Sequence, residues 1–582
     1  MCGIFGYVGS SEKGPQLVQE GLQRLEYRGY DSWGVGALAG GSINVYKKTG
    51  IVFREALPLP VANRAVGHTR WATHGAVTDA NAHPHMASDN SFILCHNGIV
   101  ENADALKQKL QKYAFVSQTD TEVIVHLVEE YAKKVSLQEA VRRAFKELAG
   151  RNTVIVLSRS GDVYAVRNGS PLVVGTNKRG EYFFSSDSLS LGSHAENILV
   201  VENGQMVVCS NDALALSVVA TGKKATQKWE AYRAPSTVAD KGSYPHYMIK
   251  EIHDSAAAVL EVLKDKTNFA PLVSAIKKAR TVYCIGSGTA GVAAQQIAFY
   301  LRSIAGVRAV HLIGGEASEY ADLIGKSDLC IAPSQSGETA DVLEVLEKAQ
   351  KRGAKIASYV NMYGSMMTRM SDFPFMANAG PEICVMSTKI FTSQIAWGYM
   401  LAHRVAGTAS RGIRDIRALV TGMYRYLADT DSQKQIQEFA KEAAQMPHLF
   451  LMAKGQNAAI IREGMVKIIE GSYVHAHAIP SGDLKHYAIT LMEKGTPVIA
   501  LVSDDDVRTD VENAVHEVTA RGARVVTIGA EDDALLRVPR VGGAAGAVLN
   551  VLPLQLLAYH MAVARGNNVD KPRNIAKSVT VK

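Results

Sequence analysis

Short apolar runs separated by polar turns fill the first 220 residues. The runs CGIFGYVG, INVYKK, FILCHNGIV, TVIVLS and DVYAVRN have the length and composition of strands. In QLVQEGLQRLEYR and DTEVIVHLVEEYAKK, apolar residues instead recur every three or four positions, which predicts helices. We therefore expect residues 1–220 to form one domain of strands with a few helices.

The pattern changes after residue 220. A polar segment with Pro and Gly, residues 221–248, indicates a linker. The apolar runs RTVYCIG, DLCIAPSQ and KIASYVN then alternate with helical segments, and HLFLMAKG, TPVIALVS and RVVTIGA repeat the plan more weakly. This alternation is typical of βαβ units on a parallel sheet. We expect two related α/β doubly wound domains, 249–430 and 431–566, followed by a tail, 567–582.

Composition narrows the class of protein. A chain of 582 residues is too long for one core, and 47% hydrophobic with 20% charged residues is ordinary for globular domains. The net charge of +7 suits anionic small molecules, and without a dense Lys/Arg block it gives no footprint for nucleic acid. Six scattered cysteines without a CxxC pair favour a reducing compartment and argue against a disulfide framework or a zinc site.

One segment raises the question of a membrane. The run from Val541 to Ala564 carries no charge, but a membrane-spanning helix needs about 20 predominantly apolar residues. Here the run is interrupted by Asn550, Pro553, Gln555 and His560, so we expect a buried strand followed by a helix. The N-terminus has no basic and apolar leader. We expect a cytoplasmic protein with no membrane partner.

The first candidate chemistry is at the N-terminus. Removal of the initiator Met would leave Cys2 with both a thiol and a free α-amine, whose pKa of about 7.7–8.0 suits a general base. Alone, such a cysteine is ordinarily a small buried hydrophobe. Polar motifs elsewhere change this: Asn97 and Gly98 could form an oxyanion hole, Arg70 could bind a carboxylate, and Asp120 an ammonium group.

Six motifs carry a family resemblance. In order, MCGIFGYVG, LEYRGYDS, GHTRWATHG, NAHPH, HNGIVEN and SQTDTE resemble the N-terminal-nucleophile (class II) glutamine amidotransferases. The resemblance implies an αββα fold with Cys2 as nucleophile and Asn97 and Gly98 as oxyanion hole. The glutamine pocket that it implies consists of Arg28, Arg70, Trp71, Thr73, His74, Gly98 and Asp120. Trp33 departs from the family, which has a small residue there; His83 and His85 in NAHPH lack metal-site partners at suitable spacing.

The second candidate site begins at SQSGETADVLEVLEKAQ. An apolar strand ends at Pro333 and a helix begins around Thr339, so backbone N–H groups and the hydroxyls of Ser334, Ser336 and Thr339 suit a phosphate. Alone, this pattern would be a simple N-cap. In REGMVKIIEGS, one helix face carries a Glu–Lys–Glu trio, which on spacing alone favours a solvated salt-bridged face.

A second resemblance covers essentially the whole chain. SQSGETAD, STK, the Glu–Lys–Glu helix, GDLKH and DKPRNIAKSVTV are similar to the paired sugar-isomerase (SIS) domains of the glutamine–fructose-6-phosphate aminotransferase family. The resemblance implies amination and isomerisation of fructose 6-phosphate to glucosamine 6-phosphate with ammonia from L-glutamine. The sugar-phosphate site that it implies consists of Thr289, Ser334, Gln335, Ser336, Thr339, Ser387, Glu463 and Lys467.

The same resemblance assigns roles in the sugar reaction. Glu470 would move a proton between C1 and C2, His486 from the neighbouring subunit of a homodimer would assist ring opening, and Lys577 would form a Schiff base at C2. Trp71 would gate a closed passage for ammonia. No metal or organic cofactor is called for. Three local departures concern sugar affinity: Tyr487 in GDLKHY, Ala290 in SGTA, and VMSTKIF where the family has VASTKAF.

Other functions fit the sequence less well. A phosphoribosyl amidotransferase or an asparagine synthetase would need a different C-terminal half, because SQSGETAD fits neither. A non-catalytic sugar-phosphate sensor would not need Cys2, Glu470, His486 and Lys577 together. A deaminating or isomerising enzyme without glutamine dependence is disfavoured by the intact N-terminal set. A glutamine amidotransferase acting on a different phosphosugar remains the nearest alternative.

Overall fold

The computed structural model describes residues 2–232, 240–530 and 534–579. They form two compact units: one contains the chain up to residue 238 together with the chain from residue 576, and the other contains residues 239–575. Each unit has its own sheets and its own hydrophobic cores.

The first unit is built on two antiparallel sheets. Over the described residues, the larger sheet has the strand order β14-β11-β9-β10-β1-β4-β2-β3 and the smaller one β13-β12-β8-β7-β6-β5. The strands are β1 (Gly3–Val8), β2 (Ser32–Ala39), β3 (Ser42–Thr49), β4 (Arg64–Arg70), β5 (His85–Met86), β6 (Phe92–Gly98), β7 (Asn152–Ser158), β8 (Val163–Asn168), β9 (Val173–Thr176), β10 (Tyr182–Ser185), β11 (Asn197–Val200), β12 (Gln205–Ser210), β13 (Ala213–Val218) and β14 (Trp229–Ala231).

Helices cover the outer faces of these sheets: α1 (Gly14–Leu25), α2 (Ala103–Lys109), α3 (Thr121–Ala132), α4 (Leu137–Glu147) and α5 (Ser188–Leu191). Alternation along β1 explains the layering, because Ile4 faces the core between the sheets while Phe5 faces α1. A third core lies between the smaller sheet and α3 and α4. The order helix, sheet, sheet, helix confirms the expected αββα fold.

The structure shows where Trp33 and part of the segment interpreted as a linker lie in this unit. Trp33 is fully buried in the core beside α1, where its ring packs edge-on against Phe53 with 4.9 Å between ring centroids. Inside the segment interpreted as linker, residues 229–231 form β14, which pairs with β11 at the edge of the larger sheet.

The second unit contains two parallel sheets of the same design. In the described part, their strand orders are β16-β15-β17-β18-β19 and β21-β20-β22-β23-β24, and every pairing is parallel. The strands are β15 (Val282–Gly286), β16 (Ala309–Ile313), β17 (Leu329–Ser334), β18 (Lys355–Val360), β19 (Phe373–Met376), β20 (His448–Ala453), β21 (His475–Pro480), β22 (Pro497–Leu501), β23 (Arg524–Gly529) and β24 (Leu536–Arg537). Two doubly wound sheets were expected, and this expectation is confirmed.

The helices of the second unit surround both sheets. They are α6 (Tyr247–His253), α7 (Ser255–Lys264), α8 (Ala270–Lys278), α9 (Gly288–Ala305), α10 (Ala340–Lys351), α11 (Met366–Met370), α12 (Lys389–Val405), α13 (Ala409–Ala428), α14 (Thr430–Ala443), α15 (Ala458–Ser472), α16 (Arg508–Thr519), α17 (Gly546–Leu549) and α18 (Val551–Ala564). One continuous core contains residues of both sheets together with α9, α12, α15 and α18, so the two sheets share a single hydrophobic interior.

The apolar run 541–564 corrects one expectation. It contains α17 and α18 and no strand among these described residues, so the interpretation as strand plus helix was wrong. An apolar run lacks the periodicity that separates a buried strand from a buried helix. By length and composition Gly543–Ala564 resembles a membrane span, but 83% of its most apolar window is buried within the protein. It is a core helix of this fold.

Candidate active sites

Cys2 is held at the end of the central strand pair of the first unit. Antiparallel pairing of β1 with β4 sets Gly3 opposite Thr69, which brings Cys2 beside the start of the loop after β4. The Trp71 N–H donates to Cys2 Sγ at 3.4 Å. Burial raises the pKa of the Cys2 thiol, although the Trp71 N–H and the nearby Arg70 charge oppose this. The thiol therefore requires a base to become a nucleophile.

The predicted oxyanion residues end β6 in the facing sheet. Asn97 is 3% exposed, and its Oδ1 lies 3.1 Å from Nε2 of His68 on β4. Its side-chain nitrogen Nδ2 is buried and has no hydrogen-bond partner among the described residues. Gly98 has a φ of +148°, and a Cβ there would lie 2.4 Å from the Arg151 carbonyl oxygen, so only glycine fits.

Arg70 organises the loop that follows β4. Its guanidinium donates to the backbone carbonyls of His74 at 2.5 Å and of Gly75 and Ala76 at 3.2 Å. It is 3% exposed, whereas the predicted ligands Thr73 and His74 are exposed on the outer side of the loop. Trp71 packs edge-on against Tyr30 with 5.5 Å between ring centroids. Arg70 thus closes this loop, and its binding to a glutamine carboxylate stays a prediction.

The two remaining glutamine candidates lie in different surroundings. Asp120 precedes α3, and its carboxylate accepts the Val100 N–H at 2.8 Å, which ties the start of α3 to the chain after β6. The charges of Arg70 and Asp120 both act on the Cys2 thiol, so these three groups lie close enough to interact electrostatically. Arg28 is buried and donates to the Ser186 carbonyl at 2.7 Å, beside Asp187.

The SQSGET loop lies at the switch point of the first parallel sheet. It follows β17, which is the neighbour of β15, and the chain leaves these two strands toward opposite sides of the strand order. Ligands of doubly wound sheets bind outside the carboxyl ends of strands at this point. The Ser334 hydroxyl accepts the Gly337 N–H at 2.9 Å, and within the described part of the chain the N-cap residue Thr339 makes no side-chain capping bond.

A buried polar cluster joins the two parallel sheets, and we call it the α9–α15 cluster: Thr289 on α9 with Glu463, Lys467 and Glu470 on α15. The Lys467 ammonium lies 2.9 Å from Thr289 Oγ1, 2.5 Å from Glu470 and 3.4 Å from Glu463. Glu463 and Lys467 are each 1% exposed, so the solvated face favoured by spacing alone is wrong.

Burial and charge set the protonation states in the α9–α15 cluster. The two carboxylates raise the pKa of Lys467 although burial opposes this, so Lys467 stays charged. Burial raises the pKa of Glu463 to about 8, which the Lys467 charge only partly offsets. At neutral pH Lys467 therefore pairs with the closer Glu470, while Glu463 carries a proton.

The other sugar-site candidates lie on separate elements. Ser387 precedes α12 and donates to Glu382 at 2.6 Å, and the Gln335 carbonyl accepts the Met362 N–H at 3.2 Å. His486 ends a 3-10 turn, Ser481–His486, and is exposed. Lys577 is half-buried in the tail that belongs to the first unit.

Comparisons with known proteins find one type of domain in each of the two units. A family model described as glutamine amidotransferase domain matches residues 68–192, and one described as SIS domain matches 275–404 and 443–565. Isomerizing glutamine–fructose-6-phosphate aminotransferases of Thermococcus kodakarensis and Clostridium acetobutylicum are 36% and 37% identical, over the full length of both chains in each case. The chain belongs to the isomerizing glutamine–fructose-6-phosphate aminotransferase family.

A solved structure extends this result to the second unit. The C-terminal domain of glucosamine-fructose-6-phosphate aminotransferase from Francisella tularensis is 27% identical, with a TM-score of 0.51; it covers 57% of this chain and all of its own. In an aminotransferase of this family, a glutamine amidotransferase domain joined to two SIS domains implies glutamine and a phosphosugar as substrates.

Sequence reasoning did not predict that three further residues contact the candidate sites. Asp31 accepts the Ala72 N–H at 2.8 Å, Glu382 accepts the Ser387 hydroxyl, and His68 contacts Asn97. A signal existed for His68, because strand alternation places residues 68 and 70 on the same face of β4. Glu382 had none, since it also accepts two backbone N–H groups whose direction the sequence does not encode.

Proposed function

We propose that this protein converts fructose 6-phosphate and L-glutamine into glucosamine 6-phosphate and glutamate. The first unit would release ammonia at Cys2, and the second would isomerise the sugar and accept the ammonia. The observation that carries the proposal is the buried Nδ2 of Asn97, which has no partner in the described ranges and is a donor ready for an oxyanion. The other unit of the chain holds the α9–α15 cluster. We further propose that the enzyme acts in the cytoplasm as a homodimer.

In the glutaminase step, the free α-amine of Cys2 takes the thiol proton once Met1, which lies outside the described residues, is removed. The thiolate attacks the glutamine side-chain carbonyl, and the oxyanion is stabilised by Asn97 Nδ2 and the Gly98 N–H. The C–N bond breaks, the α-ammonium returns its proton to the leaving nitrogen, and ammonia departs. Water then hydrolyses the thioester to glutamate and restores the thiol.

In the sugar step, hydroxyls and N–H groups of the SQSGET loop bind the phosphate at the N-terminus of α10. His486 assists ring opening, and Lys577 forms a Schiff base at C2 that ammonia displaces. Glu470, which pairs with Lys467, then moves a proton from C1 to C2, which yields the 2-amino aldose. Trp71 gates the passage of ammonia, which has to stay unprotonated and therefore dry.

The first test is a paired product assay. Purified enzyme is incubated with glutamine, with and without fructose 6-phosphate, and glutamate and glucosamine 6-phosphate are both quantified. We expect equal amounts of the two products when both substrates are present. Cys2→Ala should abolish both products with glutamine and keep amination with ammonium salts. Cys95→Ala, which removes a fully buried cysteine from β6, is the matched control and should retain coupled synthesis.

Two variants test the finer assignments. Trp71→Ala should release more glutamate than aminosugar, and Trp71→Phe should restore most of the coupling; equal yields in Trp71→Ala would reject the gate. If His486 acts across a homodimer, mixing inactive His486→Ala and Glu470→Gln subunits should recover about a quarter of the wild-type activity, because half of the dimers then hold one intact site. No recovery after subunit exchange would reject the shared site.

A further inference from the structure

His68 occupies a fully buried position between the two sheets of the first unit. Its Nε2 lies 2.9 Å from the His96 backbone carbonyl oxygen and 3.1 Å from Asn97 Oδ1. A backbone carbonyl only accepts hydrogen bonds, so Nε2 has to carry the proton. The Asn97 atom that faces Nε2 must then be an acceptor as well. Hydrogen-bond chemistry thus assigns Oδ1 to His68 and leaves Nδ2 on the other side of the amide.

The surroundings of His68 keep the imidazole in this one form. Burial lowers the pKa of His68 to about 3, so the ring is neutral at physiological pH. Its Nδ1 is buried without a hydrogen-bond partner among the described residues, as expected for the unprotonated nitrogen of the Nε2–H tautomer. The ring stacks on His83 with 4.1 Å between centroids, and His83 Nδ1 in turn accepts the His96 N–H at 3.3 Å.

The same arrangement leaves the Asn97 Nδ2 donor without an acceptor among the residues that the structure describes. A buried donor without a partner is destabilising, and folded proteins seldom keep one without a reason. An oxyanion that forms during amide hydrolysis would supply the missing acceptor. A flipped amide would instead present Oδ1 to that oxyanion and repel it.

We propose that His68 is a positioning residue of the glutaminase: its Nε2–H fixes the orientation of the Asn97 amide so that Nδ2 donates to the oxyanion. This inference rests on the glutaminase half of the proposed function. His68 never touches substrate in this scheme and acts only through Asn97. Its second bond, to the His96 carbonyl, anchors the imidazole to the strand that carries Asn97, so the two residues stay in register.

The test compares substitutions of His68 that differ in whether they place an N–H donor near the original position of Nε2. His68→Leu removes the donor, His68→Gln can place an amide N–H near the original Nε2, and His68→Asn keeps a polar amide that is too short to reach. The control His85→Leu removes another buried imidazole, whose Nε2 contacts Thr119 rather than Asn97. For each variant we would measure kcat and KM for glutamine hydrolysis, the affinity of the γ-aldehyde of glutamate, and the alkylation rate of Cys2 by iodoacetamide.

The aldehyde adds to the Cys2 thiol and forms a tetrahedral adduct whose oxygen occupies the oxyanion hole, so its affinity reports on Nδ2 directly. Loss of one oxyanion donor typically lowers kcat by about 10²–10³, and we expect His68→Leu to lose about 10–100-fold because a misoriented amide still samples the correct state. Aldehyde affinity should fall in proportion to kcat/KM, while KM and the alkylation rate change less than about threefold. His68→Gln should recover most of the loss.

Several results would overturn the proposal. Wild-type kcat in His68→Leu, or equal activity of His68→Asn and His68→Gln, would show that the donor does not matter; the latter comparison holds even if the Leu variant fails to fold. A merely structural role would be indicated if His68→Leu lowered kcat and the alkylation rate and raised KM together, and if His68→Gln did not recover these values. If the wild-type enzyme releases no glutamate, both the proposed function and this inference fail. If His68→Leu alone keeps wild-type kcat, only the inference fails.

Discussion

The protonation of Glu463 in the α9–α15 cluster gives the sharpest quantitative prediction. Glu463 is 1% exposed, its Oε1 accepts the Thr289 hydroxyl at 3.2 Å, and its Oε2 is buried without a partner in the described part of the chain. We expect Glu463→Gln, which imitates the protonated side chain, to be nearly neutral for stability below pH 4.5 and increasingly stabilising relative to wild type as the pH rises toward 8.

The sign and size follow from linkage. The pKa of Glu463 is about 8 in the folded protein and 4.5 ordinarily, so between these pH values folding takes up a proton. The stability that the protonated form contributes is complete below pH 4.5 and is lost as pH rises through 8. Each pH unit inside this window corresponds to about 1.4 kcal/mol. From pH 5.5 to 7.5, the wild type should therefore lose about 2–3 kcal/mol relative to Glu463→Gln.

Hydrogen exchange read by mass spectrometry on peptides from α15 measures this locally, because a protein with several domains rarely unfolds in two states. The free energy of local opening is compared between wild type and Glu463→Gln at each pH, after correction for intrinsic exchange. Infrared difference spectra should show the carbonyl band of a protonated carboxyl at pH 6. Lys467→Met is the contrasting variant, and it should cost about 3–5 kcal/mol at pH 7.5 because it leaves Glu470 without its cation.

One outcome would refute the reasoning. If wild type and Glu463→Gln keep a constant difference from pH 5.5 to 7.5, and the protonated carboxyl band is absent at pH 6, Glu463 is ionised. Lys467 would then hold two carboxylates at once, and the preference for Glu470 argued from the 2.5 Å and 3.4 Å contacts would be wrong.

Three further predictions concern other parts of the molecule. Gly98→Ala should lower glutamine hydrolysis at least about 100-fold while amination with ammonium salts persists, because φ is +148° and a Cβ would meet a carbonyl oxygen at 2.4 Å. The pKa of His126 is raised to about 9 by two glutamates, so the stability of its charged form is complete below pH 6.5 and lost as pH rises through 9; thermal unfolding of His126→Gln should show a flatter pH profile. Asp570→Asn should lower stability by about 1–2 kcal/mol in thermal unfolding, because its carboxylate accepts the first two N–H groups of α6 at 2.9 Å.

The fold was largely predictable because the spacing of apolar residues distinguishes most strands from most helices in this sequence. The runs that became β1, β6, β7, β15 and β17 were all anticipated, since strands in these cores alternate or are continuously apolar. The error at residues 541–564 has the opposite cause: α18 is apolar on every side, so its sequence carries no period that would mark it as a helix.

For the candidate sites, sequence motifs predicted which reactive residues to consider, but not the environment of those residues. Motifs named Cys2, Asn97 and the trio on α15 as candidates. The protonation states of the titratable groups among them could not be predicted, because these depend on burial created by residues far along the chain. Spacing alone placed Lys467 on a solvated face, whereas packing of α15 against α9 and α18 leaves it 1% exposed. Likewise, nothing in GHTRWATHG indicates that the first histidine is neutral.

At both candidate sites, burial keeps titratable side chains neutral before substrate binds, and this affects how the reactive groups become charged. It raises the pKa of the Cys2 thiol, lowers that of the His68 imidazole and raises that of Glu463, so each of these groups is neutral near pH 7. Neutral groups leave the resting sites with few uncompensated charges in low dielectric, where charge is expensive. A thiolate and an oxyanion then form only when a base and a substrate carbonyl are both in place. The consequence is testable: Cys2 should alkylate slowly in the free enzyme, and its rate should rise with pH along the titration of its own α-amine rather than of any histidine.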